Sequence, residues 1–178
     1  MNCFTIFALF AQSFSITVAT SLNITSIAGV GNHSEIQCWQ METPFTISTD
    51  AGTNGVARLD LSDADNISYL VLPSEYNGGL HNAPAVQWVA FISGLAHITL
   101  PDDPTASAYV IGGAFGLIFA ADTADVSKQG HITRYPGVIE TVALQIPTKN
   151  NFIPQHAVLH SGACTASEVA GIHSFASQ

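Results

Sequence analysis

The sequence predicts an all-β protein, built as a sandwich or barrel of short strands with one short helix near the C-terminus. Short apolar or alternating segments recur along the chain, and clusters of Gly, Pro, Asn and Asp separate them. Strands at near-regular spacing, without a sustained helical period, are typical of such folds. The chain has 178 residues, of which 47% are apolar, so we expect a single domain with a full hydrophobic core.

The predicted elements begin with residues 21–40, which are small and polar with short apolar pieces and which we interpret as an arm or edge strand. Residues 76–79 are interpreted as a turn that leads to His81. Near the end, Thr165 and Glu168 fit a capping box before a helix over 169–175. The strands predicted between them cover 44–49, 56–61, 68–72, 87–92, 95–100, 109–113, 116–121, 141–147 and 157–160.

The centre of the predicted sheet is a hairpin over 87–100. Gln87, Val89 and Phe91 share one face of an extended strand, and three apolar residues share the other face. Because both faces are largely apolar, this strand is expected to be buried on both sides. Gly94 permits a sharp reversal without a clash of a Cβ atom, so 95–100 is the returning strand.

Residues 1–20 are predicted to be a secretory signal peptide, because they are apolar, contain no acidic residue and close on small residues. A transmembrane helix is the alternative, but Gln12 and Ser13 interrupt a run that is shorter than the ~20 apolar residues a span needs. The mature domain is expected to cover 21–178 and to lie in the secretory pathway or outside the cell.

Secretion has two further signals. Cys38 and Cys164 remain once Cys3 leaves with the signal peptide, and in an oxidising compartment they should form a disulfide. Two buried free thiols are the alternative. Three sequons predict that at least one N-linked glycan is attached to a surface loop, at Asn23, Asn32 or Asn66.

The charge of the chain excludes several classes of partner. The net charge is −9, and only four basic residues are present. No basic face can therefore neutralise the phosphates of a nucleic acid, and anionic membrane surfaces are disfavoured for the same reason. We expect no membrane span in the mature chain. A homodimer that pairs through an edge strand at 21–40 is one option for assembly.

The register around the central hairpin resembles the first motif of the cupin superfamily, His-x-His-x3-Glu-x6-Gly. His81, Ala83, Gln87 and Gly94 stand in that register, so one of the three metal ligands is kept. A longer resemblance, to small secreted cupin-like fungal proteins, covers Ser48 to Cys164. It is carried by HNAPAVQWVAFISGLAHITLP, GLIFAADTADVSKQGHITRYP and ETVALQIP. The resemblance implies a jelly-roll fold with an internal site.

Metal binding is one function that the resemblance implies. Cupin sites usually combine histidines with a carboxylate, which suits a divalent ion. This chain has an amide, Gln87, at the carboxylate position, and the second cupin motif is present only loosely, with His131 as its nearest candidate. The ligands of a metal would be His81, His97 and His131. A hydrogen-bonded interior histidine is an equal interpretation of His97.

The other function is a metal-free pocket. Small barrels enclose room for small ligands, and an apolar pocket with a few polar groups is the usual small-molecule site. Phe91 and Phe119 simply filling the core is the alternative interpretation. The expected lining consists of His81, Gln87, Val89, Phe91, His97, Phe119, His131 and Tyr135.

We expect a metal-independent enzyme, without a cofactor, that acts on small hydrophobic natural products. Motifs of nucleotide-binding proteins and serine hydrolases are absent from the sequence. His81 can exchange a proton near neutral pH, and Gln87 or Tyr135 can hold a carbonyl or hydroxyl group. In size, composition and sequons the chain is similar to the fungal hetero-Diels–Alderases of tropolone-sesquiterpenoid pathways. That similarity implies dehydration to an ortho-quinone methide, followed by cycloaddition. A metal-dependent cupin oxygenase or isomerase, and a non-catalytic secreted ligand-binding protein, are the alternatives.

Overall fold

The computed structural model describes residues 21–170, which contain thirteen strands: eleven form a sandwich of two sheets, and the other two, β3 and β4, form a separate short ribbon. A 3-10 turn lies at Lys149–Asn151, and a helix, α1, at Ala166–Ala170. The predicted signal peptide at 1–20 and the last part of the predicted helix lie outside the described residues. The strands are β1 Ser21–Val30, β2 His33–Pro44, β3 Thr46–Ile47, β4 Ala57–Arg58, β5 Ser68–Leu72, β6 Tyr76–His81, β7 Gln87–Ser93, β8 Leu95–Thr99, β9 Ser107–Ile111, β10 Leu117–Ala121, β11 His131–Tyr135, β12 Thr141–Pro147 and β13 His156–Ser161.

The larger sheet has seven strands in the order β13-β2-β1-β10-β7-β12-β5, and the smaller has four in the order β6-β11-β8-β9. The pair β1–β10 is parallel, and the other strand pairs in the described chain are antiparallel. The prediction of an all-β fold with a short C-terminal helix is confirmed. The sheets stack as a sandwich and do not close into a barrel.

The main core fills the space between the two sheets. The larger sheet contributes Ile27, Phe91 and Ile118, and the smaller contributes Ile98 and Val110, all of them buried. Burial of such side chains contributes roughly 1.5–3 kcal/mol each relative to exposure, so this layer holds the sheets together.

A second cluster covers the outer face of the larger sheet. Trp88 and Phe119 meet edge to face at 4.8 Å between ring centroids, and both are almost fully buried. The segment that carries the short β3–β4 ribbon lies over them and packs Leu59 and Leu61 against this cluster. Residues 56–61 were predicted as a strand, and only Ala57–Arg58 pair as one.

Two predictions about the secondary structure and the strand order are wrong. Residues 21–40 are not an edge strand: β1 lies between β2 and β10, and β2 lies between β13 and β1. Apolar residues on both faces, such as Ile24 and Ile27, make β1 a buried strand. Among the described strands, the outer strands of the two stacked sheets are β5, β6, β9 and β13. Residues 76–79 belong to β6 and are not a turn, and β11 was not predicted as a strand.

Gly94 fulfils its predicted role at the reversal between β7 and β8. Its φ is +83°, and a Cβ atom there would overlap Thr141 of β12. The hydroxyl group of Thr141 in turn accepts a hydrogen bond from the backbone N–H of Leu95 at 3.2 Å. Only glycine permits both the backbone conformation and the close approach.

The ends of the described chain are tied together. Cys38 on β2 and Cys164 form a disulfide, as predicted. The capping box is also present, because the Glu168 carboxylate accepts the backbone N–H of Thr165 at 2.6 Å and the Thr165 hydroxyl faces the Glu168 N–H at 3.4 Å. No helix in the described part of the chain has the length and apolarity needed to cross a membrane.

Replacing both cysteines, as Cys38→Ala with Cys164→Ala, should lower the free energy of unfolding by about 2–5 kcal/mol. The bond closes a loop with a sequence separation of 126 residues, and opening it restores conformational freedom to the unfolded chain. Urea unfolding, with reduced wild-type protein as the matched control, measures the change. Equal midpoints for the variant and the oxidised wild type would contradict the prediction.

Candidate functional site

A cavity of about 270 Å³ lies between the two sheets. One wall comes from β1, β10, β7, β12 and β5 of the larger sheet, and the other from β6, β8 and β11 of the smaller sheet. His81 and Pro84 line the cavity and are also exposed, so it opens to solvent beside them. Most of the lining is apolar, which is typical of a small-molecule site.

Strand register decides which side chains reach this cavity. On β7, Gln87, Val89 and Phe91 point inward, as the alternation predicted. On β10 the inward residues are Ile118 and Ala120, which pair with Val89 and Gln87. On β11 the inward side chains belong to His131, Thr133 and Tyr135.

The two ends of the cavity differ in chemistry. Gln87 pairs with Ala120, which stands two residues before Asp122, and Asp122 contacts His131, so these groups share one end. The opposite end is aromatic, where the rings of Phe91 and Tyr135 have centroids 6.5 Å apart. Burial raises the pKa of Tyr135 to about 12, with a smaller effect from Tyr76, so its hydroxyl stays protonated.

His131 is held by a buried carboxylate. Its Nδ1 lies 2.7 Å from Oδ2 of Asp122, and the side chain of Asp122 is fully buried. Because a carboxylate can only accept, Nδ1 of His131 carries the hydrogen and Nε2 is left without a partner among residues 21–170.

Three further groups fix Asp122 in place. Ser34 on β2 donates its hydroxyl hydrogen to Oδ2 at 2.6 Å, and the Ser34 and Ser127 hydroxyls are 2.8 Å apart. The side chain of Asn82 donates to the backbone oxygens of Asp122 and Ser127 at 3.0 and 2.9 Å. Oδ1 of Asp122 is buried and has no hydrogen-bond partner in the described structure. The carboxylate therefore has strong contacts on one oxygen only.

His81 lies next to His131, with ring centroids 4.5 Å apart and an interplanar angle of 58°. Partial burial lowers the pKa of His81 below its ordinary value of 6.5, and the charge of His131 lowers it further. A hydrogen bond to the Gly79 carbonyl and the charge of Asp122 act in the opposite direction. That bond, at 2.9 Å from Nδ1, leaves Nε2 of His81 without a hydrogen-bond partner in the described part of the chain.

Gly130 allows this close approach of β6 and β11. Its φ is +75°, and a Cβ atom there would overlap the backbone carbonyl of His81. Its backbone N–H donates to the Ser127 hydroxyl at 3.1 Å, which joins it to the network around Asp122.

Six of the eight residues predicted to line the pocket do so: His81, Gln87, Val89, Phe91, His131 and Tyr135. Two predicted members do not. Phe119 pairs with Trp88, so it points to the outer face of the larger sheet and packs there. His97 alternates with the inward residues Ala96 and Ile98, so it points outward and stacks on Tyr109 at 4.1 Å between ring centroids.

The proposed metal-ligand set of His81, His97 and His131 is therefore wrong as a set, because the His97 ring is on the other side of its sheet. The cavity lining offers two imidazoles and the amides of Asn82, Gln87 and Gln145, and no carboxylate is among its lining residues in the described chain. The carboxylate of Asp122 is already hydrogen-bonded to His131 and Ser34. This donor set is poorer in anionic ligands than divalent transition metals prefer.

Elsewhere in the described chain, Cys38, His160 and Glu168 bring ligand atoms within 4.8 Å of one another. Cys38 is disulfide-bonded and has no thiolate to offer. His160 and Glu168 form an ion pair at 2.9 Å that supports the C-terminal corner. This group is structural.

Fold and site together define a two-sheet β-sandwich with a histidine-lined internal cavity. No protein-family model matches the chain, and no curated protein matches it in sequence.

Asp122, Ser34 and Ser127 were not predicted as site residues. Asp122 follows the buried strand β10 directly, which is a weak sequence signal for a functional carboxylate. Its partners stand 88 residues earlier and 9 residues later in the chain, so only the strand pairing brings them together.

His81 should titrate below 6.5, and His131→Ala should raise its pKa because one of the causes that lower it is removed. Between the lowered pKa and 6.5 the unfolded chain binds the proton more tightly, so the free energy of unfolding should rise with pH through that window. NMR titration of the imidazole protons measures the pKa of His81 in the wild type and in His131→Ala.

His160 is the internal control for this titration. The Ser161 carbonyl and Glu168 raise its pKa, and it lies at the far edge of the larger sheet, so it should not respond to His131→Ala. A His81 that titrates at or above 6.5 in the wild type, or that is unmoved by the substitution, would contradict the assignment.

Proposed function

We propose that the cavity is the active site of a metal-independent enzyme that dehydrates a small, largely apolar, hydroxylated substrate. The observation that carries the proposal is the contact between His131 and the buried Asp122, beside His81, at the polar end of the cavity. An imidazole with one nitrogen held by a carboxylate and the other free is a common acid–base arrangement.

The dehydration uses both histidines. His81, neutral because its pKa is lowered, accepts the proton of the substrate's phenolic or enolic hydroxyl. His131, in its protonated form, donates a proton to the departing hydroxyl group. The carbon–oxygen bond breaks, water leaves, and a neutral ortho-quinone methide remains. His81 takes up one proton and His131 gives one, so the charges balance. Proton exchange with solvent then returns both histidines to their starting protonation states.

The cycloaddition is the next step of the proposal. The quinone methide adds to an alkene in a hetero-Diels–Alder reaction, which needs only that two apolar partners be held in the right orientation. The apolar end of the cavity, with Phe91, Leu72 and Ile98, supplies such a surface. At about 270 Å³ the cavity is slightly smaller than the usual drug-sized site, so the alkene would enter through the mouth after the first partner.

Wild-type protein should convert 2-(hydroxymethyl)phenol and ethyl vinyl ether to the chroman adduct, and His131→Ala should reduce the rate about 100-fold because general acid catalysis is lost. Asp122→Asn should also reduce the rate of adduct formation, since the amide no longer fixes the tautomer of His131. His97→Ala is the matched control, because this histidine points away from the cavity. Adduct formation is followed by liquid chromatography.

Elemental analysis separates the alternatives. About one equivalent of Fe, Mn or Zn per chain, lost in His81→Ala together with activity, would overturn metal independence and favour a cupin oxygenase or isomerase. Tight binding of the phenol without any adduct would favour a non-catalytic ligand-binding protein. Equal rates for the wild type and His131→Ala would remove the proposed role of His131.

We also propose that the chain is secreted and carries glycans. The disulfide supports an oxidising compartment. Asn32, in the turn between β1 and β2, and Asn66 are exposed, whereas Nδ2 of Asn23 donates to the backbone oxygen of Glu168 at 3.1 Å. A glycan is attached at Nδ2, so it would displace this contact.

In a secreting eukaryotic host, Asn32→Gln and Asn66→Gln should each increase electrophoretic mobility, and Asn23→Gln should leave it unchanged. The reason is that the side-chain amides of Asn32 and Asn66 make no hydrogen bond within residues 21–170, whereas the Asn23 amide is hydrogen-bonded through both its nitrogen and its oxygen. Mobility before and after treatment with a glycosidase measures occupancy. A mobility shift in Asn23→Gln alone would contradict the assignment.

A further inference from the structure

The cavity contains polar side chains that have no partner in the described protein. Gln87 is 3% exposed and Thr133 is 4% exposed, and both line the cavity. Neither side chain makes a hydrogen bond to any residue within 21–170. Among residues 21–170 the fully enclosed side-chain atoms without a partner are Ser26 Oγ and Asp122 Oδ1, so the polar atoms of Gln87 and Thr133 are reached from the cavity. Polar groups in a mostly apolar interior are normally hydrogen-bonded. Here the missing partner must come from whatever occupies the cavity.

A second buried glutamine shows the ordinary case. Gln37 is 8% exposed, donates to the Glu35 carboxylate at 2.9 Å and accepts from the indole N–H of Trp39 at 2.7 Å. The side-chain amide of Gln37 is therefore paired on both its donor and its acceptor, outside the cavity. Gln87 carries the same side-chain amide, but neither its N–H donors nor its carbonyl acceptor has a hydrogen-bond partner within residues 21–170.

The cavity is also free of formal charge apart from its two histidines. Its lining in the described chain includes no Lys, Arg, Asp or Glu. An anionic ligand would lose its hydration without a Lys or Arg to pair with, and the Asp122 carboxylate behind His131 would repel it, which is unfavourable in an apolar site. A pure hydrocarbon would leave Gln87 and Thr133 unpaired. Each of these two classes fits the site poorly.

We propose that the ligand of this cavity is a neutral molecule that carries a hydroxyl group beside a carbonyl group, recognised by Gln87 and Thr133. A carboxamide presents one donor and one acceptor side by side, and a neighbouring hydroxyl and carbonyl supply the complementary acceptor and donor. The inference rests on the proposed function for the identity of the site, and it narrows the substrate class of that reaction to neutral hydroxycarbonyl compounds and their enol forms.

Binding at pH 8 to three ligands built on one phenyl ring tests the inference by calorimetry. The probes are α-hydroxyacetophenone, phenylglyoxylate and ethylbenzene. The neutral hydroxyketone should bind at least tenfold more tightly than either the anion or the hydrocarbon, since only it pairs both functions of the amide. Gln87→Leu should weaken hydroxyketone binding about tenfold or more, because a ligand polar group then goes unpaired.

Gln37→Leu is the matched control, and thermal unfolding is the second readout. Gln87→Leu should keep or raise the Tm, because it removes an unpaired buried amide. Gln37→Leu should lower the Tm, because it leaves the Trp39 indole N–H without its acceptor, and it should leave the Kd of the hydroxyketone unchanged. A glutamine that is merely structural at position 87 would behave as Gln37 does.

The inference is overturned if phenylglyoxylate or ethylbenzene binds as tightly as the hydroxyketone, if no probe binds at millimolar concentration, or if Gln87→Leu leaves the Kd unchanged. These readouts are independent of turnover. Gln87-dependent binding without adduct formation would refute the proposed reaction and keep the ligand class. If Gln87→Leu leaves adduct formation unchanged, the proposed ligand class is refuted and the proposed reaction is kept.

Discussion

The buried carboxylate of Asp122 is the interaction around which this end of the molecule is organised. An isolated charge in the protein interior is very costly, so its neighbours must supply hydrogen bonds or an opposite charge. Ser34 supplies one from β2, His131 supplies another from β11, and Asn82 holds the backbone beside it. These partners belong to both sheets. The requirement to solvate one charge therefore fixes the position of the smaller sheet over the larger one and orients the His131 ring.

The cavity is a consequence of how the two sheets are filled. Over much of their area, apolar side chains such as Ile27, Ile98 and Val110 occupy the space between them. At the site, Ala120 and Ala143 stand on the inward faces of β10 and β12, and Ala83 lines the cavity from the connection between β6 and β7; each side chain is a single methyl group. Protein interiors are normally close-packed, and the small side chains at these three positions leave space that a ligand can fill.

The sequence was informative where the signal is local. Alternation in 87–92 placed Gln87, Val89 and Phe91 on the cavity face, and Gly94 marked the reversal that follows. It failed for Phe119 because the inward face of β10 is set by its register with β7, which no local pattern reveals. The same limit applies to Asp122, whose partners are distant in sequence, and to β1, whose central position depends on a parallel partner about ninety residues away.

The parallel pairing of β1 with β10 has a consequence for how the protein folds. The β1–β2 hairpin forms from neighbouring residues, yet its two outer partners, β10 and β13, are far later in the chain. As the chain emerges during synthesis, this hairpin must keep both edges unpaired until those strands follow. Pairings between distant segments form slowly, because the entropy of loop closure is lost before contacts are gained. Cys38 likewise pairs with Cys164 across a sequence separation of 126 residues, so the disulfide can form only after the strands between them have been synthesised.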